Sequence, residues 1–233
     1  MRVMALGAHP DDVEICCGGT LARYSQEGSE VMMVSLTNGD KGHDTLPPEE
    51  IAAIRKKEFE SSAAVIGAQA YCLGVLDEFL LDDVETRLAL VDVIRSFRPD
   101  LLITHDPSGC HVDHRIASKL VFEAASLSYV TPVKTEHPAH PPIMPIYYMD
   151  TIGGVGFAPE EFVDISDTFA IKKEMLLHHE SQIKAMGKRL SASLVDIIEI
   201  TGRFRGLQAG VEYAEAFRPL RAALRVRTER LLP

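Results

Sequence analysis

Two short clusters in this chain carry side chains that do chemistry when brought together: Ala8-His9-Pro10-Asp11-Asp12 and His111-Val112-Asp113-His114. Two imidazoles and one carboxylate are a common ligand set for a hydrolytic metal site, because three protein ligands leave a position open for water. His9, Asp12 and His114 could be those three. Pro10 restricts the turn between the histidine and the carboxylates, and adjacent side chains cannot aim the same way. One carboxylate can therefore face the ion while Asp11 faces the water, as base toward the water and acid toward the leaving group. His111 is expected to stabilise an oxyanion as a fixed imidazolium, with Asp113 holding and orienting it. The donor set alone also suits non-haem iron(II). Either cluster by itself has a structural reading, as a helix N-cap or a buried hydrogen-bonding group. Their convergence on one crevice is what favours a metal site.

Convergence depends on the elements that carry the clusters. The first follows the apolar run Arg2-Val3-Met4-Ala5-Leu6-Gly7 and the second follows Leu101-Leu102-Ile103-Thr104, each of the kind a strand covered on both faces requires. Between them the pattern alternates: a helix entered through Cys17-Gly18-Gly19-Thr20, a strand over 29–36 after Gly28, a helix over 51–66, a short strand over 70–73, and a helix over 84–97 stopped by Pro99. A further helix is expected over 113–127. Four strand-then-helix units predict an α/β fold with a Rossmann-like, doubly wound, mostly parallel sheet and helices on both faces. Its chemistry should lie at the C-terminal strand ends, where the polar loop Thr37-Asn38-Gly39-Asp40-Lys41-Gly42-His43 also falls. Arg55 and Glu58, one helical turn apart, read on their own as a surface ion pair.

Residues 128–145, interrupted by five prolines, predict a long connection acting as a rim or lid, with His137 and His140 exposed on it. A strand over 145–149, a turn over 151–154, one helix over 167–186 containing His178 and His179, and another over 188–208 complete the reading. The basic segment from Arg218 to Arg230 should pack on the body or on another subunit. Nothing in 233 residues forces a division, so one domain over 1–233 is expected, with 1–127 the core half carrying the metal cluster and 128–233 completing the pocket.

Composition excludes several classes. A formal charge of −10, from 24 basic and 34 acidic residues, disfavours nucleic acid as a partner. No apolar run approaches the roughly 20 residues of a membrane span, and the start lacks the order of a signal peptide, so a cytoplasmic protein without membrane contact is expected. Cys16, Cys17, Cys72 and Cys110 form no CxxC pair and read as reduced thiols, mostly buried, with Cys110 a packing residue beside His111. Neither GxxxxGK[ST] nor GxGxxG is present, which removes motif support for a nucleotide.

With these residues in view, the chain resembles the LmbE-like (PIG-L) family of N-acetylglucosaminyl deacetylases over nearly its whole length. The two clusters carry the resemblance, with Cys17-Gly18-Gly19-Thr20 and weaker marks at Thr37-Asn38-Gly39-Asp40, Arg55-x-x-Glu58, His179-x-Ser181-Gln182 and Tyr213-Ala214-Glu215-Ala216-Phe217. It implies one zinc ion held by His9, Asp12 and His114, Asp11 as general base and acid, and His111 as oxyanion partner oriented by Asp113. It further implies that Arg55 and Asp77 contact sugar hydroxyls, and that the chain forms a homo-oligomer, from dimer to hexamer. His179 reads as a helix-face or pocket-wall residue. The expected activity is removal of acetyl from an N-acetylglucosamine-type sugar or conjugate, a small-molecule substrate. An iron(II) oxygenase with the same ligands and a non-catalytic sugar-binding protein are the rival readings.

Overall fold

A computed structural model describes residues 1–189 and 192–233. Seven strands form one sheet in the order β3-β2-β1-β4-β5-β7-β6. The first five are Arg2–Gly7 (β1), Glu30–Thr37 (β2), Gln69–Val75 (β3), Leu101–His105 (β4) and Ile146–Met149 (β5), all parallel to their neighbours among themselves. Glu161–Asp164 (β6) and Ala214–Pro219 (β7) finish one edge, with β7 antiparallel to both β5 and β6. The chain order reverses between β1 and β4, and both chemistry-bearing clusters leave the sheet there, at the C-terminal ends of those two strands.

Alternation along the central strands builds two cores. Val3 and Ala5 of β1 join Leu101 and Ile103 of β4 on one face, under Asp12–Gln26 (α1), Pro48–Val65 (α2), Phe169–Leu177 (α5) and Leu194–Ala209 (α7). Met4, Leu6 and Leu102 face the other way, under Val84–Phe97 (α3) and Val112–Leu127 (α4). Both faces are covered, which explains the unbroken apolar runs in β1 and β4. Among the described residues no helix is long and apolar enough to cross a membrane.

Three of the expected helices differ from the structure. α1 begins at Asp12 instead of near Cys17, so the acidic loop shrinks to a corner with Asp11 at the N-cap. The single helix expected over 167–186 is two, α5 and Glu180–Arg189 (α6), broken at His178-His179. The break follows from tertiary partners: Glu14 of α1 takes the His179 ring at 2.8 Å, and Glu58 of α2 accepts the Ser181 amide at 2.8 Å and its hydroxyl at 2.6 Å. The helix expected over 188–208 starts at Leu194, and residues 190 and 191 of that span lie outside the described residues.

The proline-rich connection is not a lid. It packs beside the C-terminal end of α3 and the start of β4, at the end of the strands opposite the two clusters. There the buried Arg95 donates to the carbonyls of Leu127, Ser128, Val130, Val133 and His137. His140, expected to be exposed, is buried and bonded to the Pro99 carbonyl at 2.9 Å. The basic C-terminal segment packs on the body, with Arg225 donating to the Met144 carbonyl at 2.6 Å.

β7 escaped the sequence reading because a glutamate sits inside it. Glu215 is 4% exposed, accepts the amides of Gly19 and Thr20 in mid-helix at 3.0 and 2.7 Å, and pairs with the buried Lys172 of α5. Lys172 in turn donates to the Ile15 carbonyl at 2.8 Å. Gly19 is required where α1 meets this seam, since a Cβ there would lie 2.9 Å from Ile165. Removing one partner of such a buried pair strands the other. Glu215→Ala is expected to lower stability by about 3 kcal/mol, read as a fall in the urea midpoint at unchanged slope.

Candidate active site

The crevice between β1 and β4 opens into a cavity of about 440 Å³ lined by His9, Asp11, Asp12, Arg55, Asp77, His111 and His114 among others. His9 stands at the end of β1, and Asp12 opens α1, its Oδ2 accepting the His9 amide at 2.7 Å. This bond folds the corner tightly. Asp11, at the N-cap, is forced to φ 138°, a left-handed conformation for a residue with a side chain. Such backbone costs on the order of 1–3 kcal/mol and persists where surrounding contacts impose it.

Three donor atoms crowd together. The His9 Nδ1 and His114 Nε2 atoms are 3.3 Å apart, and the Asp12 carboxylate has one oxygen 3.3 Å from the first and the other 3.2 Å from the second. Four tetrahedral bonds of about 2.1 Å place neighbouring ligand atoms about 3.4 Å apart, so these separations match a metal's coordination sphere. Further groups of donor atoms lie near, namely Asp12 with His105 and His114, His9 with His111 and His114, and His9 with Asp77 and Asp113.

Hydrogen bonding decides which lone pairs are free. His9 turns its Nε2 to Asp77 Oδ1 at 3.0 Å, so that once the ring gives up its other proton the Nδ1 lone pair faces the cluster. His105, stacked on His114 with ring centroids 4.0 Å apart, uses its Nε2 to accept the Ala8 amide at 3.0 Å. Burial, then the neighbouring His114, pushes its pKa down to about 4 and keeps it neutral. His111 uses Nδ1 to cap α4, accepting the Asp113 amide at 3.2 Å. His9 Nδ1, the Asp12 carboxylate and His114 Nε2 remain as the atoms converging on one point, with Asp12 Oδ2 also 3.0 Å from His105 Nε2.

The electrostatics fit a cation. Burial opposes protonation of His9, yet Asp12, Asp113 and Asp77 outweigh it and raise its pKa well above the ordinary value. Burial likewise opposes charge on Asp12, and His114, His105 and His9 overcome it, holding the carboxylate well below its usual range.

Asp11 is set apart from that group. Burial raises its pKa to about 6, and the Arg55 guanidinium works against the rise. Arg55 is not the surface ion pair that its spacing from Glu58 suggested. It is 3% exposed, donates to the Pro10 carbonyl at 2.7 Å and to Asp11 Oδ1 at 3.2 Å, while Glu58 turns to Ser181. Gly39 makes room for it: at φ +67°, any Cβ would fall 2.4 Å from the guanidinium. The Asn38-Gly39-Asp40 turn thus serves two site residues, since Asp40 Oδ1 also accepts the Asp77 amide at 2.9 Å.

Two expected roles change in detail. The Asp113 carboxylate does not touch His111; it accepts the Glu78 amide at 2.8 Å and lies 3.4 Å from His9 Nε2. The amide of Asp113 holds His111 instead, lying 3.2 Å from its Nδ1, and the ring turns its Nε2 to Glu78 Oε1 at 3.2 Å. Asp77 faces the His9 ring first, with Arg55 3.8 Å away.

Sequence reasoning missed His105, one residue past the predicted strand, and Glu78, which adopts φ +68° in the β3–α3 loop. It also missed the fully buried Glu14–His179 pair, with Ser62 donating to Glu14 at 2.6 Å. Of these only His179, in the HxSQ mark, left a signal in the sequence. Cys110, expected to be a packing residue, is exposed at the cavity mouth, and all four cysteines are free thiols.

A doubly wound α/β fold with converging histidine and carboxylate donors at its switch point defines a class of crevice-site proteins, and comparison narrows it. The family profile for GlcNAc-PI de-N-acetylase (PIG-L) matches residues 4–125. The diacetylchitobiose deacetylase of Thermococcus kodakarensis is 31% identical over 228 residues, covering 93% of this chain and 82% of that protein. The solved N,N'-diacetylchitobiose deacetylase from Pyrococcus horikoshii is 30% identical, with a TM-score of 0.82 over 94% of this chain and 83% of its own. The chain belongs to the PIG-L family. GalB, the 4-carboxy-2-hydroxymuconate hydratase from Pseudomonas putida KT2440, shares the fold at a TM-score of 0.84 over 99% of both chains, at 20% identity. Several curated relatives are longer, and the chain spans 49% to 60% of their length.

The Asp77–His9 contact separates two roles for Asp77. If the carboxylate orients a ligand imidazole, Asp77→Ala is expected to weaken metal retention roughly 10–100-fold in a chelator competition. A residue acting on sugar hydroxyls alone would instead raise KM with metal retention unchanged.

Proposed function

We propose that this protein is a metal-dependent N-deacetylase that cleaves the amide of an N-acetylglucosamine-type sugar or conjugate, giving acetate and a free amine. One observation carries the reading: His9 Nδ1, the Asp12 carboxylate and His114 Nε2 lie 3.2–3.3 Å from one another, and buried Asp11 stands beside them. Membership of a de-N-acetylase family supports the amide as substrate.

His9, Asp12 and His114 would hold a single ion, zinc by preference of the donor set and iron(II) as the alternative. When bound, the ion supplies Lewis acidity toward the acyl oxygen and lowers the pKa of water. Asp11 takes a proton from the attacking water and returns one to the departing amine. Its pKa near 6 suits both duties, and Arg55 fixes its carboxylate for them. His111, held by the Asp113 amide, donates from Nε2 to the oxygen as it gains charge. Asp77 keeps the His9 tautomer, and Arg55 and Asp77 together give the sugar hydroxyls a donor and an acceptor at the cavity wall. Residues on both sides of position 128 line the cavity, so we treat 1–233 as one catalytic unit.

Asp11→Asn is expected to retain metal, by elemental analysis, and to lose at least about 100-fold in kcat for primary-amine release from N-acetylglucosamine conjugates. Near-parental turnover in that variant would remove Asp11 from the mechanism. Chelation should abolish turnover and zinc should restore it. The hydrolytic reading also predicts full activity under anaerobic conditions without reductant, where an iron(II) oxygenase would be silent.

A further inference from the structure

The cavity has two unlike flanks. On the β2–β3 side of the metal donors it is lined by Lys41, Arg55, Asp77, Glu78 and Gln182, all able to hydrogen-bond a sugar. Toward β5 and α7 the lining turns apolar, with Ile15, Ile152, Met186, Leu194 and Ile197, and α6 joins the two flanks through Gln182 and Met186. These five come from α1, the turn after β5, α6 and α7, so the apolar surface is assembled by the tertiary fold and not by one amphipathic helix. It is continuous with the chemistry. Ile15 is one helical turn beyond Asp11, its amide donating to the Asp11 carbonyl at 3.0 Å.

A flank made of five aliphatic side chains cannot pair the hydroxyls of a second sugar or a cyclitol. Seating such a group there would strip its hydroxyls of water without replacing the hydrogen bonds, which is costly. An alkyl or aryl group placed there would gain from leaving water. The volume, about 440 Å³, lies within the roughly 300–1,000 Å³ typical of pockets for drug-sized ligands.

Resting on the deacetylase reading, we infer that the Ile15–Ile152–Leu194–Ile197 flank is a subsite for an apolar group of the substrate, so that the preferred substrates are N-acylated amino sugars bearing an alkyl or aryl chain. The chain can enter from two sources, a glycosidic aglycone or an N-acyl group longer than acetyl, and both present the same chemistry to the flank.

The test compares kcat/KM for primary-amine release from N-acetylglucosamine, its hexyl β-glycoside and N-hexanoylglucosamine, using the zinc-loaded full chain. A preference of about tenfold or more for either hexyl-bearing compound is expected, since one well-buried methylene is already worth about that factor. The arm that wins identifies the source of the chain. Ile197→Asn should lower kcat/KM for the favoured compound more than for N-acetylglucosamine, so that the ratio falls toward one. Equal kcat/KM for all three compounds, or a preference that survives Ile197→Asn, would overturn the subsite.

Calorimetric binding of hexyl against methyl β-N-acetylglucosaminide to the Asp11→Asn protein reads the flank without turnover, and equal Kd values there would also overturn it. Tenfold tighter hexyl binding with no turnover of any compound by the parent would uphold the subsite and sink the deacetylase reading instead.

Discussion

The adjacency of β1 and β4 is the constraint on which the rest of this molecule depends. Leu6 pairs with Thr104 in parallel register, so the next few residues of both strands emerge side by side at the point where the sheet order reverses. His9 and Asp12 arrive from one strand and His114 from the other, separated by about a hundred residues in sequence and 3.3 Å in space. Parallel pairing of this kind leaves no room for a one-residue slip, because a slip would turn Val3 and Ala5 onto the face that Met4 and Leu6 occupy.

Around that pairing the fold spends many of its buried polar groups on holding α1. Gly19 and Thr20 are tied to Glu215, Ile15 to Lys172, and Glu14 to His179 and Ser62. Each tie runs from α1 to a different element, and together they fix the helix whose first turn carries Asp11 and Asp12. Buried charges of this sort stabilise only when paired, so the same contacts that locate the site make α1 intolerant of single changes. The strained φ of Asp11 belongs to the same bargain: the corner is held by the Asp12 carboxylate on the His9 amide and by Arg55 on the Pro10 carbonyl.

Hydrogen-bond accounting does more than distance to sort the four histidines of the crevice. His105 and His111 each give a ring nitrogen to a backbone amide, while His9 turns Nε2 to Asp77 and Nδ1 to the cluster. The same accounting engages His111 Nδ1 with the Asp113 amide and leaves its Nε2 to face Glu78. Ligand choice and tautomer are therefore products of the loops that follow β3 and β4, and these lie far from β1 in sequence.

The sequence by itself determined the parallel α/β core, because strands buried on both faces must be apolar throughout and the helices between them carry plain start and stop signals. It also marked the residues of the crevice, since His9, Asp11, Asp12, His111 and His114 stand in the loop after a strand or in the first turn of the next helix, where this architecture opens. Tertiary structure alone decided what those residues touch. Arg55 turned inward because Gly39, sixteen residues earlier, has no Cβ to block it. The helix over 167–186 broke because Glu14 and Glu58 offered His179 and Ser181 better partners than helical continuation did. β7 formed around a glutamate because Lys172 was there to meet it. In each case the deciding partner is remote in the chain, and local pattern, which reports only on neighbours within a few residues, has no access to it.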